Sequence, residues 1–129
     1  MSKTIPLDFD GGLTCAIQCA DLDKAVAWYE KVLGFELLYK IDEMAWAELK
    51  SPVANVSLGI GQVETPMVQG GATLTWGVIE IDEARSKLEA NDVRFDGETQ
   101  TIPEMVKLAT FFDPDGNSLM FFESLSDEF

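Results

Sequence analysis

Histidine is missing altogether from the 129 residues. Its absence removes serine–histidine–aspartate and cysteine–histidine catalysis, zinc sites built on paired imidazoles, and the ordinary proton shuttle near neutral pH. Cations are scarce, with 9 Lys and Arg against 23 Asp and Glu and a formal charge of −14. Such a polyanion repels nucleic acid and anionic lipid, so neither is expected as a partner. No apolar run approaches the roughly eighteen residues that span a bilayer, and the start MSKTIPLDFDGG lacks the basic-then-apolar order of a signal peptide. The expectation is a cytoplasmic protein without membrane involvement. Cysteine is nearly absent too. Cys15 and Cys19 lie four apart on an expected strand and are read as reduced, buried small side chains rather than a disulfide or metal pair.

What is present is a periodic apolar pattern, 47 % of the chain, long enough to sustain a core without staples. After Gly11-Gly12, Leu13–Ala20 reads as a strand with Leu13, Cys15, Ile17 and Cys19 on one face and Thr14, Ala16 and Gln18 on the other. Asp21 stands as an N-cap. Leu22, Ala25, Val26, Tyr29, Val32 and Leu33 then recur at helical spacing up to Gly34. FELLYKI, EMAWAELK and VSLGIG follow as strands, with a turn near Asp42-Glu43.

The order then repeats. VETPMVQGG is a linker by composition, ATLTWGVI a strand, and EIDEARSKLEAND a helix; VRFDGETQ, MVKLATFF and NSLMFFE are three more expected strands. At one constant offset Thr14 falls on Thr73, Asp21 on Glu80, Asp23 on Asp82 and Ala25 on Ala84. The chain thus reads as a degenerate duplication of β-α-β-β-β: module one at about 12–62, a linker at about 63–71 and module two at about 72–125. Pro114 and Gly116 specify a turn between the last two strands, within Asp113–Gly116. That turn does not match a calcium loop, because its glycine falls at the fourth position rather than the sixth.

The two modules, the D-L-D-K-A-x-x-W-Y-x-x-x-L-G-F stretch at Asp21–Phe35 and D-P-D-G-N-x-L at Asp113–Leu119 together resemble the vicinal-oxygen-chelate superfamily. This group includes glyoxalase I, the bleomycin- and fosfomycin-resistance proteins and the extradiol dioxygenases. The resemblance implies an α+β fold of two tandem β-α-β-β-β modules, whose curved mixed sheets form an open cup that holds the ligand. It also implies frequent homodimers and, in active members, a divalent metal held by residues of the first and last strands of each module. Those positions fall here on Thr14, Thr73, Ser57 or Gly59, and Met120. Neutral hydroxyls and a thioether do not repay the dehydration of a divalent ion, so no metal and no cofactor is expected.

Strand parity then proposes a cup lining. Thr14, Gln18, Thr73 and Thr75 would face inward from the first strands, and Met120 and Phe122 from the last. On EMAWAELK, Met44, Trp46 and Glu48 are too polar as a set to face a helix and are pointed inward; Lys107 could reach either the cup or solvent. A tryptophan beside a carboxylate is a recurrent way to hold a cation. The leading expectation is a metal-free protein that binds or sequesters a small organic molecule. The alternative is a glyoxalase-like lyase or isomerase, for which Glu48 is the one candidate acid or base, provided that burial raises its pKa.

Overall fold

The computed structural model describes residues 7–68 and 70–126. Asp21 opens the first helix, α1 (Leu22–Val32), from extended backbone, and its Oδ1 accepts the Lys24 amide at 3.1 Å. Leu22, Ala25, Val26 and Tyr29 form the buried stripe that holds α1 against its sheet. Gly34 ends it at φ +74°, a left-handed conformation that side chains resist, and Phe35 turns back into the core.

Around α1 lie β1 (Leu13–Cys19), β2 (Glu36–Ile41), β3 (Trp46–Lys50) and β4 (Val56–Gln62), in the spatial order β1-β4-β3-β2. The second half repeats this with β5 (Leu74–Gly77), α2 (Ile81–Ala90), β6 (Gln100–Ile102), β7 (Val106–Phe112) and β8 (Ser118–Ser124), in the order β5-β8-β7-β6. In each sheet the first strand runs parallel to the last, and the remaining pairs are antiparallel. This is an α+β fold of two open mixed sheets. Among the described residues no helix is long and apolar enough to cross a membrane.

A shared closure shows the repeat at atomic detail. Gln62, the last residue of β4, accepts the Leu22 amide at 2.8 Å, and Glu123, near the end of β8, accepts the Ile81 amide at 2.7 Å. Each module's final strand therefore satisfies the first free N–H of its own helix. Glu123 thus matches Gln62, whereas Glu80, unlike Asp21, makes no side-chain cap of its own.

The helix-facing sides of both sheets share one core that includes Tyr29, Leu49, Leu58, Ile60, Phe111 and Leu119, with Phe35 edge-on to Trp76 at 5.3 Å. Cys19 is buried in it and Cys15 packs against it; both are free thiols. Burial, together with Asp115, Asp113 and Asp21, pushes the Cys19 thiol up to about 11. The Asp113–Gly116 turn locks the modules together. Asp113 accepts Tyr29 Oη and Asn117 Nδ2, each at 2.8 Å, Asn117 Nδ2 also reaches the Gln18 carbonyl at 2.9 Å, and Asp115 accepts the Ala20 amide at 2.9 Å.

Three segments differ from the sequence expectation. VRFDGETQ is irregular, with one bridge from Phe95 to Phe111, and pairing resumes only at Gln100. Asp92 and Gly97 adopt positive φ there, which interrupts the extended backbone a ladder needs. The strand expected over ATLTWGVI contracts to Leu74–Gly77. A 3-10 turn at Asp42–Met44, closed by Ala45 at φ +50°, takes Met44 out of β3 and leaves it exposed.

Candidate functional site

Pleat alternation sets the surface opposite the helices. With Ala47, Leu49, Leu58 and Ile60 buried against α1, the concave face of the first sheet carries Trp46 and Glu48 from β3, Ser57, Gly59 and Gly61 from β4, and Thr14 from β1. Thr14 is paired with Ser57 in the β1–β4 register, and Glu48 with Gly59 in the β3–β4 register.

These residues form one hydrogen-bonded cluster. Ser57 Oγ donates to Glu48 Oε2 at 2.8 Å, Thr14 Oγ1 reaches the same oxygen at 3.4 Å and lies 3.1 Å from Ser57 Oγ, and Tyr39 Oη donates to Oε1 at 2.9 Å. Burial pushes the Glu48 pKa up, but donors from Ser57, Tyr39, Trp46 and Thr14 outweigh it and hold the carboxyl below its usual range. The bond to Glu48 pushes the Tyr39 phenol upward in turn. Glu48 is thus a fixed anion already supplied with donors. A general base needs the opposite bias.

Trp46 forms the neighbouring wall. A β-carbon on Gly59 would come within 2.1 Å of Trp46 Cζ2, so the indole lies over the β4 backbone where glycine alone leaves room, while at Gly61 a β-carbon would meet Cε3 at an ordinary 3.5 Å contact. The second sheet repeats the device. Phe122 lies over Gly77, whose β-carbon would meet Phe122 Cζ at 2.9 Å, and Met120 is paired with Thr75 on the same face.

Between the two faces, along the unpaired edges of β1 and β5, runs a crevice of about 550 Å³ lined by Ala16, Gln18, Thr73, Leu74 and Ser118 among others. A second hollow of about 430 Å³ adjoins Thr14 and Ser57 at the rim of the first sheet. Gln18 faces the crevice, but its Oε1 is engaged by the Met67 amide of the linker at 2.8 Å. Thr75 Oγ1 donates to the Thr73 carbonyl at 3.2 Å.

The structure therefore groups Thr14, Trp46 and Glu48 on one concave face and Thr75, Met120 and Phe122 on the other, with Gln18 and Thr73 at the seam. Lys107 is a correction. It shares a face with buried Ala109 and Phe111, and its Nζ lies 3.7 Å from Asp82 Oδ2 on α2, so it points away from the cup. Tyr39 was missed because β2 slips register by one residue between Leu37 and Tyr39; in an unbroken ladder Leu38 would stand opposite Glu48.

The donor set does not fit a divalent metal. Two hydroxyls and one hydrogen-bonded carboxylate meet at Thr14, Ser57 and Glu48, while Met120 and Thr73 stand at the other positions. Among the described residues no three His, Cys, Asp or Glu side chains converge on one point.

Residues 13–121 match the Glyoxalase/Bleomycin resistance protein/Dioxygenase superfamily. The chain belongs to this superfamily. A superfamily member from Sphaerobacter thermophilus DSM 20745 superposes with a TM-score of 0.77 at 24 % identity, covering 93 % of this chain and 100 % of that one. TnmS3, an antibiotic binding protein from Streptomyces sp. CB03234, gives 0.74 at 22 % identity over 94 % of this chain and 99 % of its own. The fosfomycin resistance protein FosX from Listeria monocytogenes gives 0.73 at 13 % identity over 96 % and 95 %. No curated protein matches the chain. At these identities the structural neighbours establish the superfamily fold alone.

Proposed function

We propose that this superfamily member binds a small organic molecule in its cup, against the Trp46 ring and beside the Glu48 carboxylate, without a divalent metal. One observation carries this reading: an aromatic ring seated on glycine backbone adjoins a hydrogen-bonded anion on an open concave face. The similarity to TnmS3, described as an antibiotic binding protein, supports it. The site itself argues against the lyase or isomerase alternative, because the donors around Glu48 oppose its use as a base.

The proposal includes a cytoplasmic homodimer. Strand β2 leaves Leu37, Leu38 and Tyr39 exposed at a sheet edge, and apolar edges of this kind are usually covered. Sedimentation should then report a dimer at micromolar concentration, and a monomer there would remove that part.

A thermal-shift and ligand-observed NMR screen, run with and without chelator, tests the binding itself. Hits should persist in chelator, disappear in Trp46→Ala and be unaffected in Lys107→Ala. Strong stabilisation by Ni²⁺ or Zn²⁺ alone would overturn the metal-free reading.

A further inference from the structure

Resting on this reading, we infer that the ligand is an organic cation of diffuse charge that carries no N–H donor, such as a quaternary ammonium or an N-alkylated heteroaromatic ring, held beside Glu48 against the face of Trp46 turned away from β4. A carboxylate offers about four acceptor positions. Oε2 receives Ser57 and has Thr14 Oγ1 at 3.4 Å, and Oε1 receives Tyr39. Each oxygen already accepts a hydroxyl donor, yet the charge is not neutralised. Among the described residues no Lys or Arg pairs with Glu48, and Lys50, the next residue on the same face, is exposed and makes no ion pair with it.

This combination discriminates between cations. A primary ammonium must replace the water on three donors and would find Glu48 already engaged; it either leaves its own donors unmet or strips those of the protein. A quaternary or N-alkylated cation has no such donors to satisfy. It needs only a negative field and a polarisable surface, and a tryptophan face supplies the strongest cation–π partner among the side chains. One face of Trp46 rests on Gly59 and Gly61, and among the described residues no ring or cation stacks on the indole. The overall charge of −14 draws in every cation alike, so it does not produce the distinction.

The test compares three probes of similar size on the intact protein by calorimetry, at one salt concentration and mildly alkaline pH: N-methylquinolinium, neutral quinoline and naphthylmethylammonium. N-methylquinolinium should bind about tenfold more tightly than quinoline, a difference within the range of one cation–π contact in a negative field, and more tightly than naphthylmethylammonium. It should also shift the Trp46 indole resonance, and Glu48→Gln should bring it within about twofold of quinoline. If that variant fails to fold, the wild-type series still decides.

Naphthylmethylammonium binding as tightly as N-methylquinolinium would overturn the inference. So would equal binding of quinoline and N-methylquinolinium; with the Trp46 resonance still shifted, that outcome would leave the cup as a ligand site. Failure of all three probes at millimolar concentration also overturns it, and only an empty fragment screen as well removes the reading beneath.

Discussion

At the scale of single residues, the site depends on side chains that are absent as much as on those present. Gly59 and Gly61 contribute nothing but space, and Trp46 occupies it. Gly59→Ala puts a methyl group 2.1 Å from Cζ2, and the indole must swing out because the strand backbone cannot move. The expected result is lost ligand binding and red-shifted tryptophan emission, with destabilisation of only about 1–3 kcal/mol measured by urea unfolding. Little of this was legible beforehand. Alternation placed Trp46 and Glu48 on one face, but nothing in FELLYKI announces that a slipped register exchanges Leu38 for Tyr39 opposite Glu48. Bulges arise from strain across a pair of strands, and one strand's sequence does not record them.

At the scale of elements, the strand-end caps tie each helix to its own sheet. Gln62→Ala should cost about 1 kcal/mol, the usual price of losing a helix N-terminal acceptor. Glu123→Ala should cost more, because a carboxylate also meets the positive end of α2. Glu123→Gln should recover most of the difference, and added salt should narrow what remains; denaturant midpoints measure all three. Long periodic segments such as α1 were readable because burial, N-cap and terminal glycine agree. The stretch after α2 was not. Its apolar residues, Val93 and Phe95, fill the core from an irregular path, and alternation does not distinguish this from a strand.

At the scale of the molecule, duplication and turn chemistry were legible, whereas the role of Asp113 was not. A D-P-D-G turn reads as a surface feature, but Asp113 is buried and joins the modules through Tyr29 and Asn117. Asp113→Ala leaves those donors unmet and should cost about 3 kcal/mol in chemical unfolding. The pH dependence follows from the direction of its shift. Burial raises the Asp113 pKa despite the donors of Asn117, Tyr29 and the backbone. A raised carboxyl contributes stability that is full below its ordinary value and lost as pH rises through its folded value. Glu48, shifted down, does the reverse, and its contribution is lost only as pH falls through its lower folded value. Self-repulsion at −14 works in the same direction as Asp113. The Asp113 contribution should therefore fall as pH rises through the range just above the ordinary carboxyl value, and Asp113→Asn should flatten that part of the melting-temperature profile, as scanning calorimetry would show.

The seating of Trp46 also has an optical consequence. The chain has three tryptophans: Trp76 is buried in the core, Trp28 is half-buried on α1 beside Tyr29, and Trp46 alone stands on the concave face. A ligand seated on Trp46 shields that ring and leaves the half-buried Trp28 and the buried Trp76 as they were, so quenching by acrylamide in a Trp28→Phe variant reports the cup. Occupancy of the cup can then be followed by light from the unlabelled protein.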